Sequence, residues 1–402
     1  MFNKNPLFIG FIFLLLLNVA CKREIVDPEL LIIRVNDVSI RSIQTNDIFA
    51  NIEYVFLETH PECLLVEDDM DVYVTEKHII AYNKEMIFGK GAYLFDRKSG
   101  KFLHEIGKRG EGPGEYNFIY PYPFNEKYEL FYVIKNLQRI GIDIHTNNVI
   151  EKVFSPVSIE HTLSDMNYLA ISIMNIHKMD SLYYIAFPNN DTGVDPYLLV
   201  IFDKEGNIVK SYPNHQKYTK YRAGSEFNPG IFYTFDNQLY FKEYNYNDTV
   251  FQVNLDTITP HFIFDLGKMK PNYEERQNTD YNNNCYWIRD VHETTNYIFF
   301  YYTSGLSFAA DKYYDAYYHK KNGELVASES TSKELRGFVD ENGLYPPFYI
   351  SSINQSEEAV GIITASNLLD YIKRTKVTNY PSIVNSLQYD DNPIIVIAKL
   401  KK

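Results

Sequence analysis

Cysteine and tryptophan are scarce in this chain of 402 residues: it has three of the first and one of the second. No CxxC pair occurs, so the paired thiolate spacing of a structural zinc site is missing. Positive charge is in short supply, with 39 Lys and Arg against 52 Asp and Glu and a net charge of −13. Such a chain repels phosphate backbones, which disfavours nucleic acid as a partner. No GxSxG elbow is present. His292 opens HETTN, which lacks the second histidine of HExxH. The densest acid run, EDDMD at Glu67–Asp71, lacks the Ca²⁺-loop spacing and leads into the apolar VYV, so it reads as a solvated turn. The expectation is therefore no metal and no cofactor. Paired acids of the glycosidase kind stay open, because their separation is spatial.

The amino terminus carries what the rest lacks, a long apolar run. Leu7–Leu17 (LFIGFIFLLLL) follows Lys4 and is too short to cross a bilayer, but it suits the apolar core of a signal peptide. It ends in LNVAC, where Ala20 before Cys21 resembles the lipobox of bacterial lipoproteins. That resemblance implies cleavage before Cys21 and lipidation of its thiol, tethering the chain to a membrane. Asn18 departs from the leucine the lipobox prefers at that place. The division expected is a signal peptide over 1–20, a tether over 21–40 and one domain over 41–402. Lys22 and Arg23 leave the periplasmic and surface-exposed leaflets both open. After cleavage Cys63 and Cys285 remain, able to bridge in an oxidising compartment or to stay free.

Aromatics are abundant, at 35 Tyr and 27 Phe, and favour strands. A repeat hides in the turns. LFDRKSGKFLHEIG, GIDIHTNNVIEKVF, VIFDKEGNIVKSY and YYHKKNGELVAS each join two strands through a short polar turn carrying Gly or Asn. TVFQVNLDTITPHFIFDLG and the terminal NPIIVIAKLKK fit more loosely. Phe95, Ile142, Phe202, Val253, Tyr318 and Ile397 mark the strand before each turn, with spacings that leave room for four-stranded blades. Apolar runs such as YELFYVIKN and TNYIFFYYTS read as inner strands covered on both faces. The chain is thus expected to be all-β, a six-bladed propeller. IEYVFLET from Ile52 is expected to complete the last blade, a velcro closure that leaves no free edge there. SNLLDYIKR and YPSIVNSLQ predict two short helices inserted in the last blade, and KPNYEERQNT another between blades four and five.

The lipobox, IEYVFLET, GKRGEGPGEY, the NDTVFQV segment and the DDNPIIVIAKL ending together resemble the six-bladed β-propeller lipoproteins of Bacteroidetes, propellers of NHL or TolB-like kind. The resemblance covers the mature chain. It implies a fold and an envelope location, and little chemistry.

GKRGEGPGEY, residues 107–116, is no P-loop, because Glu115 and Tyr116 stand where Lys and Ser or Thr would, and no helix can start in the NFIYPYPF that follows. Its place after one outer strand predicts a blade-to-blade crossover, with Gly110, Gly112, Pro113 and Gly114 shaping the turn. Arg109, Glu111, Glu115 and Tyr116 are its candidate ligand-facing residues. Tyr120, Tyr122, Phe124, Trp287, Tyr345 and Phe348 form a candidate aromatic rim, against the alternative that such residues fill blade interfaces. The function expected is a membrane-anchored binding or scaffold module. Its partners would be a glycan or peptide in nutrient uptake, by analogy with the family, or an outer-membrane protein. An axial-site hydrolase or lyase and a purely structural envelope protein are the alternatives, and the residues lining the axis discriminate among them.

Overall fold

A computed structural model describes residues 30–66, 70–83, 91–110, 112, 115–135, 138–154, 156, 176–187, 197–215, 230–243, 246–275, 278–306, 310–376 and 380–402. Of residues 118 and 120–123 it gives the backbone alone. The strands form six sheets, each a blade. From innermost outward, blade 1 is Met70–Val74, His78–Asn83, Ala92–Asp96 and Phe102–Glu105. Blade 2 is Phe118–Asn125, Leu130–Lys135, Gln138–Asp143 and Val149–Phe154. Blade 3 is Ile176–Lys178, Tyr183–Ala186, Tyr197–Asp203 and Ile208–Pro213. Blade 4 is Gly230–Phe235, Gln238–Glu243, Thr249–Val253 and Ile258–Asp265; blade 5 is Tyr286–Glu293, Tyr297–Ser304, Lys312–His319 and Leu325–Ser330. Blade 6 takes Ser352–Ile353, Glu358–Ile363 and Ile394–Leu400 from the end of the chain and Phe49–Phe56 from its beginning, the last two antiparallel. The fold is an all-β, six-bladed propeller.

The six sequence markers all fall in third strands. Four of the turns that follow share one chemistry: a leading Asp or Asn accepts a backbone N–H three or four residues on. Asp96 takes Ser99 N–H at 2.8 Å, Asp143 takes Thr146 at 2.7 Å, Asp203 takes Asn207 at 2.8 Å and Asn254 takes Thr257 at 2.8 Å. Such Asx turns offer the backbone a partner that ends the strand. The apolar runs read as inner strands are the second strands, buried along most of their length.

Six hydrophobic clusters each straddle one pair of neighbouring blades, including one between blades 6 and 1 built on Val55, Val360 and Ile395 with Val72, Ile79 and Phe95. Among the described residues, each of the six blade interfaces is thus filled by apolar side chains. Antiparallel order puts the first-to-second and third-to-fourth connections at one face. These are tight, as in 75–77, 236–237, 294–296 and 354–357. Asp236 and Asn237 both take left-handed φ, 48° and 56°, to make the shortest of them. The second-to-third and blade-to-blade connections meet at the other face and include the longest, as in 266–285, 331–351 and 364–393. The helix Ala365–Thr375 and the 3₁₀ turn Ser382–Ser386 lie in the last of these, and Thr279–Asn283 in the first, near where the sequence predicts helices.

The expected tether over 21–40 needs correction in its second half. Leu31–Arg34 adds in parallel to the outer edge of blade 4, pairing with Phe262–Asp265, and Ser39–Ile40 adds in parallel to blade 5. Ile33 and Val35 are fully buried there. Two apolar side chains sealed under an edge bind the segment to the ring. Cys21 lies outside the described residues. Among them, Cys63 and Cys285 are free and buried, and no helix is long and apolar enough to cross a membrane.

Candidate functional site

The glycine-rich stretch joins the outer strand of blade 1 to the inner strand of blade 2. Arg109 and Tyr116 form a parallel bridge: the Gly110 N–H donates to Tyr116 O at 2.9 Å and the Tyr116 N–H to Lys108 O at 2.8 Å. The Glu115 carboxylate folds back to accept the Gly112 N–H at 2.6 Å, and the Lys135 ammonium donates to the Gly112 carbonyl. The loop thus supplies its own anion where a phosphate cradle would leave room for one. Arg109 Nε donates to the Asn117 carbonyl at 3.1 Å. Gly107 has φ of 65°, and a Cβ there would stand 2.7 Å from Ile142 Cδ1, so the chain needs glycine at this crossing. Tyr116 is buried against the blade 1–blade 2 core, and that burial raises its phenol pKa. Glu111, Pro113 and Gly114 lie outside the described residues.

The candidate aromatic rim does not present open faces where it is described. Trp287 is 1% exposed and donates its indole N–H to Asn282 O at 2.9 Å. Tyr345 stacks on Tyr54 with ring centres 3.5 Å apart. Phe348 sits between Phe49 and Phe338, and Phe124 packs on Tyr73. These rings fill blade interfaces, where a wide flat side chain covers the most area per residue. The side chains of Tyr120 and Tyr122 lie outside the described part.

Polar side chains from three blades meet instead on the axis. Asp71 is the second residue of the inner strand of blade 1. Its carboxylate accepts the Ser351 hydroxyl, from the entry to blade 6, at 2.7 Å and the Tyr82 phenol at 3.2 Å. Asp290 and His292 stand on one side of the inner strand of blade 5, with His292 Nε2 3.3 Å from Asp290 Oδ2. Burial opposes a charged His292. The Asp290 carboxylate, with Asp71 adding to it, outweighs burial and raises the imidazole pKa. Blades 1 and 5 are not neighbours, so Asp71 and His292 influence each other across the centre of the ring. On the opposite side His177 of blade 3 stacks on Phe232 of blade 4, centres 5.8 Å apart. Burial, helped by Arg139, pushes His177 down to about 3 and keeps that ring neutral.

Turns of different blades are bonded to one another at the tight-turn face. There the Gln355 N–H of blade 6 donates to Glu126 Oε2 of blade 2 at 3.0 Å, reaching past blade 1. Beside it the Thr295 N–H of blade 5 donates to Glu357 at 2.7 Å. Burial raises Glu126 to about 7; the Gln355 bond opposes this, and Glu129, Glu358 and Glu76 add to it. The axial group thus has a cross-ring contact at its tight-turn side.

Other buried charges belong to blade interfaces. Glu293 takes Lys320 at 2.6 Å, His261 at 3.0 Å and the Tyr233 phenol at 2.8 Å, tying blade 4 to blade 5. Glu151 and Lys178, 2.7 Å apart, do the same for blades 2 and 3. Arg336 lies between the rings of Tyr301 and Tyr349, 3.7 and 3.8 Å from their centres, and pairs with buried Asp315. Among the described residues no three His, Cys, Asp or Glu gather as metal ligands.

The sequence offered a trace of the axial group. Asp71 closes EDDMD and Asp290 stands two residues before His292, yet the two sets looked unrelated because they lie about 220 residues apart in the chain.

A family model described as a domain of unknown function, DUF4934, matches residues 31–399. No curated protein matches the chain. Among solved structures, a protein of Bacteroides fragilis described as exported shares 15% identity at a TM-score of 0.66, covering 92% of this chain and 100% of its own. A member of the DUF4221 family from Bacteroides vulgatus shares 11% at 0.51, covering 88% and 98%. Identities this low carry the fold alone.

Proposed function

This chain belongs to the DUF4934 family of unknown function, and from that premise we propose that it is an exported, envelope-bound propeller serving as a ligand-binding module with its site on the axis. The observation that carries this reading is the meeting of Asp71, Ser351, Asp290 and His292 from three blades, with the Gln355–Glu126 contact at the tight-turn face. A concave site with a few convergent polar groups is the usual form of a small-ligand pocket. The glycine-rich loop, whose amide already holds Glu115, is set aside as the site. The signal-like Leu7–Leu17, the lipobox at Cys21 and the likeness to an exported protein support the envelope location. In this reading Cys21 anchors the protein to the outer membrane, and the ligand is a glycan or peptide in nutrient uptake. Isothermal titration of glycan and peptide panels against the chain from Lys22 onward tests it. Binding that Asp71→Asn and His292→Gln weaken supports the axial site; binding that Arg109→Ala weakens instead moves it to the loop.

A second reading, a hydrolase or lyase, draws on the His292–Asp290 pair and on the Asp71 carboxylate that acts on His292. A carboxylate that raises an imidazole makes it a stronger base. Turnover of a panel of glycosides and esters, lost in His292→Gln, would favour this reading over the first.

A further inference from the structure

We propose that the axial site takes the end of an uncharged, polyhydroxylated chain, such as a neutral oligosaccharide, in preference to an anionic or cationic ligand. This rests on the binding-module reading and narrows it. Three features of the site bear on the choice.

The first is its balance of charge. Two carboxylates, Asp71 and Asp290, face the axis and repel anions. His292 stands beside Asp290 and feels both, so the place a ligand cation would take already holds an imidazole favoured as its cation. What is left is hydrogen bonding. The carboxylates and Ser351 can accept from ligand hydroxyls. His292 Nε2 is a buried donor that makes no hydrogen bond among the described residues, close to Asp290 but out of line with it. A buried donor without an acceptor is costly, and a ligand hydroxyl or ring oxygen relieves it. A sugar offers donors and acceptors side by side and no charge.

The second is the wall across the ring. His177 and Phe232 stack nearly parallel, at 20°, and burial keeps the His177 ring neutral. Phe232 is itself buried in the blade 3–blade 4 core, so this wall brings no charge to the site.

The third is the floor. Gln355 and Glu126 join blades 6 and 2 below the polar group. In this proposal a chain does not thread past that contact, and a ligand comes to the site from the long-connection face. The site then reads a chain end and not its middle.

Titration of the chain from Lys22 onward with maltotriose, cellotriose and xylotriose, with a trigalacturonate and a chitosan trimer as charged counterparts, tests the charge argument. Maltohexaose against α-cyclodextrin, which has no end, tests the floor. Expected are a neutral linear saccharide that binds at least about tenfold tighter than its charged counterparts, no cyclodextrin binding, and about a tenfold loss in His292→Gln and Asp290→Asn. Ser351→Ala, a smaller change, should weaken binding about threefold and guards against misfolding of the other two. Tighter uronate or chitosan binding, equal cyclodextrin binding, or saccharide binding indifferent to all three variants would overturn the inference. Capped peptides that bind and are lost in the same variants would overturn it while leaving the binding module in place. No probe that depends on these residues would remove both.

Discussion

At the scale of single side chains, the segment DDNPIIVIAKL finds its physical reason in Asn392. That residue is 2% exposed. Its amide nitrogen donates to Glu58 O at 2.7 Å and Cys63 O at 2.9 Å, and its oxygen accepts Leu65 N–H at 2.9 Å. One side chain thus satisfies three backbone groups of the crossing from blade 6 to blade 1. Asn392→Ala leaves them buried and unpaired, and should cost roughly 2–4 kcal/mol in chemical denaturation. Glu115 plays a smaller part of the same kind, closing on the Gly112 amide. Glu115→Ala should lose roughly 1–2 kcal/mol, since its other partner, Lys108 at 3.8 Å, is exposed and adds little. Ligand affinity should not change; a loss of affinity at full stability would return the loop to the binding site. Both residues stand out in the sequence as parts of unusual motifs. What they touch does not, because Asn392 acts on residues more than 300 positions earlier.

At the scale of elements, the third-to-fourth-strand hairpins were legible because their signal is local: a strand, an Asp or Asn, a turn, a strand. The helix Ala365–Thr375 was legible for the same reason, its apolar positions recurring on one face above a Thr364 cap that accepts Asn367 N–H at 3.1 Å. The short strand Leu31–Arg34 was not. Four residues carry no period, and its partner, Phe262–Asp265, is remote in sequence. Burial gives the test. Ile33, fully covered between the outer edge of blade 4 and its neighbour, should cost roughly 2–4 kcal/mol when cut to Ala. Exposed Ile32, on the same strand at 42%, should cost less than about 1 kcal/mol as Ala. Equal, small effects at both positions in urea melts would mean that this segment is a tether after all.

At the scale of the whole molecule, the ring shows why fold and site differ in legibility. Each blade interface is a cluster of apolar residues that composition and alternation foretell. The axial group is a meeting of single residues from blades 1, 5 and 6, and no window of sequence contains two of those blades' contributions. Envelope attachment is a property of the chain rather than the ring. Radiolabelled palmitate should enter the wild type in a bacterial host and not Cys21→Ala; no incorporation into either would refute lipidation.

The floor of the axis supplies a pH test of the assembled ring, because Glu126 meets Gln355 only when blades 2 and 6 are both in place. Burial, with three nearby glutamates, lifts Glu126 to about 7, above the roughly 4.3 of an unfolded chain. The folded state therefore binds this proton more tightly. Its stabilisation is complete below about pH 4 and is lost as pH rises through about 7. Glu126→Gln keeps an oxygen for the Gln355 N–H and has no proton to lose. Relative to that variant, the wild-type melting temperature should fall by about 2 °C between pH 5 and pH 8, the size allowed for a partly exposed carboxyl. A difference between the two proteins that stays flat over that range would show that Glu126 is not buried at this face of the ring in solution, and the contact proposed to stop a ligand chain would lose its support.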